Sequence, residues 1–446
     1  DWTPDGKGFV ATAAKGDGDN NWWIARLDAI DLATGALREI AAPKTQINAP
    51  RVSPDGKTVA FIGGLMSDFG PVGGDLYTAP FAGGAPVNRT PGFKGSFSSL
   101  SWTRAGLKGM ALIGEANTLV SVDARSWRVA PVWSRPASFT AGDGRLSISA
   151  DGRRAAAVVQ DFAAAPRVET GPIAALKPVT HDNDALAAPA VARSVAWKNE
   201  GFDVQGWLLA PLGVQSGKTY PMVVQIHGGP AAAAQPTFLW KGPTYELLAH
   251  GYYVFMPNPR GSHGQGQAFS RANVQDFGGG DLRDILAGVD AVEKIAPVDD
   301  QRLGVYGHSY GGYMTMWTVT HSKRFKAAVA GAGIANWISY YGQNGIDQWM
   351  VPYFGGTAYD NPAVYDRLSP IRAIRDAAAP TFMYVGERDV ECPPAQSLEF
   401  WHGLKAMGVP TSLVIYEGEG HGIRNPAHNH DLDARVIGWF DRYLGG

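Results

Sequence analysis

Of 446 residues, 45% are hydrophobic and 18% charged, with 39 Lys and Arg against 41 Asp and Glu for a net charge of −2. This is the composition of a globular chain long enough for more than one core, and its balance excludes a partner held by bulk charge, such as nucleic acid or an anionic membrane. The single cysteine, Cys392, excludes an intrachain disulfide, and no apolar run reaches the roughly 18 residues of a transmembrane helix.

The chain opens on a repeated signature. Thr3-Pro4-Asp5-Gly6, Ser53-Pro54-Asp55-Gly56, the worn copy Thr103-Arg104-Ala105-Gly106 and Ser149-Ala150-Asp151-Gly152 are spaced 50, 50 and 46 residues apart. Asp-Gly makes a tight turn because glycine tolerates positive φ and aspartate bonds nearby backbone. An apolar stretch follows each copy and reads as the next strand of a hairpin. A period of about 50 residues with one hairpin per unit predicts β-propeller blades over residues 1–190. About four units fit there, and the chain begins inside a signature. The expectation is therefore an incomplete propeller whose N-terminal blades lie in a longer precursor or a separate chain. The opening DWTPDGKGFV has no basic-then-apolar leader, so a soluble chain in either cytoplasm or periplasm is expected.

From about Ala192 apolar strands alternate with amphipathic helices. Strands are predicted at Met222–Ile226, at Tyr252–Pro257, and in LGVYG, KAAVAGA, PTFMYVG and TSLVIYEG. Leu282, Ile285, Leu286, Val289, Val292 and Ile295 keep a helical period, another helix runs from Pro393-Pro394 to about Met407, and a last one spans about Asp431 to Leu444. Repeating βα units with apolar strands predict a doubly wound, mostly parallel sheet over residues 191–446, following the partial β-propeller.

In this domain GVYGHSYGGYM places Ser309 between Gly307 and Gly311, at the junction of a strand and a helix. A G-x-S-x-G there is the nucleophile elbow of α/β-hydrolases, with the helix N-terminus favouring developing negative charge, so residues 191–446 are expected to form an α/β-hydrolase catalytic domain preceded by a partial β-propeller. The base and its orienting acid should follow in the order acid, then histidine. GERDVECPP offers Asp389 and YEGEGHGI offers His421, both in loops after strands. The N–H groups of Tyr310 and of Gly228, in the His227-Gly228-Gly229-Pro230 loop, are the candidate oxyanion donors. The ring of His308 is expected to turn away from the tip, and His428 and His430 to face solvent. No HExxH motif or cysteine pair is present, so neither metal nor other cofactor is expected.

HGGP, NPRGSHGQGQAF, FGGGDLRDILAGVDAV, GHSYGGYM, YFGG, GERD, QSLEFWHGL and YEGEGHGI together resemble the prolyl oligopeptidase family of serine peptidases, on the dipeptidyl-peptidase and acylaminoacyl-peptidase side. The resemblance implies a Ser309, Asp389, His421 triad acting through an acyl-enzyme on short peptides, with access gated by a propeller. It implies that Trp337 and Tyr340, with Tyr341 beside them, wall the pocket for the residue before the cleaved bond. The chain departs from the family at Cys392, where valine is usual, and at Glu391, where Arg or Asn often contacts a substrate carbonyl. Glu391 would favour an amine or other donor, or serve as the triad acid in place of Asp389. A lasso-peptide type isopeptidase, an esterase and a non-enzymatic propeller scaffold stay open as other functions. A second copy, or the chain carrying the missing blades, stays open as a partner besides the peptide substrate.

Overall fold

The computed structural model describes residues 1–16, 18–68, 70–139 and 146–445. Among these residues the chain forms five sheets and divides into two compact units. One unit is Asp1–Ala187 with Ala231–Phe238 and Ser262–Arg271; the other is Ala188–Pro230, Leu239–Gly261 and Ala272–Gly446. No described helix is long and apolar enough to cross a membrane.

The four sheets of the first unit are antiparallel, and the first three are meanders. The first holds Gly8–Ala13, Arg26–Asp31 and Leu37–Ala41, and the second Gln46–Val52, Thr58–Gly64, Asp75–Pro80 and Val87–Asn88. The third holds Ser96–Thr103, Gly106–Ile113, Ala116–Val122 and Val129–Arg135. The fourth is built on Arg154–Gln160 and Arg167–Pro172, with Ser138–Phe139, Ser147–Ile148 and Lys177–Pro178 paired to them.

Three repeat signatures fold into the same turn. The first hydroxyl donates to the aspartate at 2.7 Å in Thr3–Asp5 and at 2.6 Å in both Ser53–Asp55 and Ser149–Asp151. It also accepts the N–H five residues on, from Gly8, Thr58 and Arg154. Gly6, Gly56 and Gly152 take φ of 68°, 71° and 68°, the left-handed region in which a Cβ would be strained. The donated hydroxyl is the largest influence holding the three carboxyls below the usual range. The worn copy has lost the aspartate and closes more tightly. There Thr103 pairs directly with Gly106, leaving a two-residue loop.

Strand alternation explains how these sheets are held. Val59 and Phe61 face one way, into a core with Val10, Leu27 and Ile40 of the preceding sheet. Ala60 and Ile62 face the other way, into a core with Phe97, Leu107 and Val120 of the following sheet. Met110 and Leu119 point onward again, to Phe139, Ala157 and Val159. Successive residues of one strand thus serve two apolar interfaces, and the sheets stack face to face in chain order.

The second unit holds one eight-stranded sheet. Its strands are β1 (Ala190–Asn199), β2 (Phe202–Pro211), β3 (Tyr220–Ile226), β4 (Tyr253–Asn258), β5 (Val298–His308), β6 (Ala327–Gly331), β7 (Thr381–Gly386) and β8 (Thr411–Tyr416). Their spatial order is β1-β2-β4-β3-β5-β6-β7-β8, antiparallel at β1-β2 and β2-β4 and parallel from β4 to β8. The six expected strands are β3 to β8. The hairpin of β1 and β2 was not expected, although its two-residue turn has a local cause. Glu200 and Gly201 both take positive φ, 47° and 85°, as a tight hairpin turn requires. The main helices are α1 (Pro243–Ala249), α2 (Gly280–Glu293), α3 (Tyr310–His321), α4 (Pro394–Ala406) and α5 (Pro426–Leu444). Helix α2 ends before Ile295, which is 41% exposed. Helix α5 starts five residues before the expected Asp431, because Asn425 caps it by accepting the Ala427 N–H at 2.9 Å.

Candidate active site

Ser309 lies between β5 and α3 with φ 61° and ψ −123°. A non-glycine residue there costs about 1–3 kcal/mol and persists only where the surroundings over-determine it. The surroundings are backbone. Ser309 N–H donates to Gly331 O at 2.9 Å, and the Ser309 carbonyl accepts from Tyr313 N–H at 2.9 Å in the first turn of α3. Both flanking glycines are required by close approach: a Cβ at Gly307 would lie 2.2 Å from Gly311 O, and one at Gly311 would lie 2.1 Å from Ile226 O.

The parallel register brings the loops after β3, β5, β7 and β8 to one edge of the sheet. Ile226 pairs with Gly307, His308 with Gly331, Gly331 with Tyr384, and Gly386 with Tyr416. Gly228, just past β3, comes close to the serine: a Cβ built on it would lie 3.4 Å from Ser309 Cβ. Its carbonyl is 2.7 Å from His227 Nδ1.

The acid and histidine loops are stitched together before their side chains meet. Glu387 and Arg388 donate main-chain N–H groups to Tyr416 O at 2.9 Å and Glu419 O at 2.8 Å. A Cβ at Gly386 would lie 2.1 Å from Gly420 O, so only glycine lets the two loops cross. Glu419, which sequence reasoning passed over, ties its own loop by accepting from Arg424 N, Asn425 N and His428 Nδ1, at 2.9, 2.9 and 2.7 Å. His428, expected to face solvent, is thus engaged in the loop.

Asp389 is fully buried and its Oδ2 lies 2.9 Å from His421 Nδ1. Its Oδ1 accepts from Glu391 N at 2.9 Å and Cys392 N at 2.7 Å. Three partners aim this carboxylate at the imidazole. Glu391 is placed differently: its side chain is 42% exposed and its carboxylate lies 3.7 Å from the other ring nitrogen, His421 Nε2. Geometry therefore separates the two acids, Asp389 on Nδ1 and Glu391 beside Nε2.

His308 does not stand apart. Its ring centroid is 4.8 Å from that of His421, and its Nδ1 is 3.3 Å from the Tyr384 hydroxyl. Burial first, then the neighbouring His421, pushes its pKa down to about 4, so it is neutral at neutral pH. The thiol of Cys392 lies against Ser309 and Tyr340, and burial pushes it well above its usual range. Since the thiolate is the reactive form, iodoacetamide at pH 7 is expected to leave Cys392 unmodified in the folded protein and to alkylate it after denaturation. Intact-mass measurement reads this, and rapid labelling of the native chain would contradict the protonated, buried thiol.

Of the three aromatics expected to wall a pocket, Trp337 and Tyr340 are 0% and 1% exposed. The Trp337 ring packs among Phe277, Tyr313 and Phe354, with centroids 5.6, 4.9 and 5.1 Å away. Tyr341 is half-buried and meets Tyr359 and Tyr365 edge-on at 5.7 Å. Tyr340 reaches the serine's surroundings through Cys392, and Trp337 through Tyr313. Among the described residues no three His, Cys, Asp or Glu side chains gather as metal ligands would.

Residues 241–446 match the model of the prolyl oligopeptidase family. This stretch is a prolyl oligopeptidase family domain. The family domain contains Ser309, Tyr310, Asp389, Glu391 and His421, while Gly228 lies before the matched residues. An uncharacterized peptidase YuxL of Bacillus subtilis is 37% identical over 253 residues, 55% of this chain and 38% of that protein. Dipeptidyl-peptidase 5 of Porphyromonas gingivalis is 25% identical over 462 residues, 99% of this chain and 66% of that protein. The chain thus spans 38% and 66% of the length of these two relatives. An acylaminoacyl peptidase solved in complex with Z-Gly-Gly-Phe-chloromethyl ketone superposes with a TM-score of 0.81 at 22% identity, over 99% of this chain and 70% of that one. A Mycobacterium tuberculosis puromycin-hydrolyzing peptidase superposes with a TM-score of 0.77 at 21% identity, over 99% and 69%. At these identities the likeness is one of fold.

Proposed function

We propose that this chain is a serine peptidase that hydrolyses short peptides through an acyl-enzyme on Ser309. The observation that carries the reading is the strained serine at a strand-to-helix turn, with His421 held by the buried Asp389 in loops at the same sheet edge. His421 Nε2 takes the serine proton as Oγ attacks the carbonyl and returns it to the leaving amine. Asp389 keeps the imidazole in the right tautomer, and the N–H groups of Tyr310 and Gly228 stabilise the oxyanion. Water then releases the acyl group. Relatives named dipeptidyl-peptidase 5, and structural neighbours named acylaminoacyl peptidase and puromycin-hydrolyzing peptidase, support amide substrates over esters alone. The face-to-face stack of antiparallel sheets supports reading residues 1–190 as propeller blades and 191–446 as the catalytic domain.

The test is labelling with a fluorophosphonate, followed by a peptide-library digest read by mass spectrometry. Adduct on Ser309 together with cleavage of linear peptides is expected. A chain that labels but cleaves only threaded or cyclic peptides, or only esters, would replace this reading by the isopeptidase or the esterase.

Glu391 belongs to the same reading. A half-exposed carboxylate beside Nε2 attracts a cation close to the scissile bond and repels an anion. Glu391→Gln is expected to lower kcat/KM for peptides carrying a free amine or cationic side chain there by about two- to fivefold, the scale of one exposed ion pair. Hydrolysis of a neutral ester should stay within about twofold. Equal loss on both substrates would place Glu391 in the chemistry rather than in selectivity.

A further inference from the structure

The residue after the serine is anchored far from its main chain. The Tyr310 hydroxyl donates to Asp281 Oδ2 at 2.6 Å, and both residues are buried, at 4% and 0% exposure. Asp281 lies in the first turn of α2 and accepts its own helix's Leu282 N–H on Oδ1 at 2.8 Å. Three residues on, Asp284 fastens the helix to the sheet. It takes the Arg260 guanidinium at 2.7 and 2.9 Å and the Asn199 amide at 2.8 Å. The Tyr310 ring is packed edge-on by Phe277 at 5.0 Å and flanked by Tyr313 at 5.3 Å. Burial raises the Asp281 carboxyl to about 7, so this acid is held in place at an electrostatic cost.

The position of the Tyr310 N–H depends on the Ser309–Tyr310 peptide plane, and that plane is tied to the Tyr310 Cα–Cβ direction. With the ring gripped at its hydroxyl and packed against Phe277 and Tyr313, the plane cannot turn without repacking the cluster. An oxyanion donor works only where it meets the developing charge within a few tenths of an ångström. We propose that Asp281 is a positioning residue, which through the Tyr310 hydroxyl holds the Tyr310 N–H, and with it the Ser309 elbow, in register for the oxyanion. This rests on Ser309 being the nucleophile.

The experiment compares wild type, Asp281→Asn, Tyr310→Phe and the double variant. It uses p-nitrophenyl butyrate turnover, the rate of fluorophosphonate labelling and thermal unfolding. Because removing an oxyanion donor outright costs about 10²–10³ in kcat, loosening one is expected to lower kcat by about tenfold in each single variant, with KM within twofold. The double variant should be no slower than the slower single, since the two residues act as a unit. Labelling should slow by the same factor. Tyr310→Phe keeps the ring and removes only the hydroxyl, so it carries the test alone if Asp281→Asn does not fold. Unchanged kcat per folded molecule, even with a lowered melting temperature, would overturn the proposal, and so would additive losses in the double variant. Failure of wild type itself to label at Ser309 would instead overturn the nucleophile reading.

Discussion

Replacing Ser309 by alanine is expected to lower kcat/KM by about 10⁴-fold or more, while the protein unfolds at nearly the wild-type temperature. The size follows from how such machinery fails. Without the nucleophile, histidine and acid have nothing to activate, and only residual oxyanion and binding effects remain. The fold should survive because alanine at φ 61° is strained no more than serine, and the bonds that define the turn are main-chain: Ser309 N to Gly331 O and Tyr313 N to Ser309 O. Peptide or ester turnover, measured beside thermal unfolding, checks both halves. If the variant keeps more than about a hundredth of the activity, the covalent route through Ser309 is wrong.

Gly311→Ala should act on structure first. Its Cβ would lie 2.1 Å from Ile226 O, 3.0 Å from Ile226 C and 3.2 Å from His227 O. All three atoms are main chain, at the end of β3 and the start of the loop that carries Gly228. A side chain could rotate away, whereas this strand is paired on both sides, to β4 and β5. Overpacking typically costs 1–3 kcal/mol, and a clash with central backbone belongs at the upper end, about 3 kcal/mol. For a domain of this size that is a fall of roughly 6–12 °C in melting temperature. Activity per folded molecule should fall too, because relief of the clash moves Gly228 away from Ser309. Gly438→Ala is the control: it is exposed on α5, a Cβ there meets nothing within 4 Å, and alanine favours the helix. If Gly311→Ala melts with Gly438→Ala, close approach is not the reason for the glycine.

Much of the site is legible along the chain because its parts are local. A serine between glycines at a strand end, an acid after β7 and a histidine after β8 can be read where they stand. The choice between Asp389 and Glu391 cannot, because both lie within reach of His421 in sequence terms. Their separation onto Nδ1 and Nε2 depends on how the two loops cross at Gly386 and Gly420. Trp337 and Tyr340 carry the same difficulty. An aromatic pair reads equally as pocket wall or as core, and the packing around Phe277 puts Trp337 in the core.

The sequence by itself determined most of the elements, though not their edges or the β1-β2 hairpin: the repeated Asp-Gly turns, the six parallel strands β3 to β8, the helix periods and the elbow. These follow from φ preferences and from which side chains alternate every two residues or every 3.6, both properties of neighbours in the chain. Only the tertiary structure decided the order β1-β2-β4-β3, the crossing of the acid and histidine loops, and the bond from Tyr310 to Asp281. Those join groups tens of residues apart. Which of them meet depends on the register of a whole sheet and the burial of whole faces, and no local pattern carries that information.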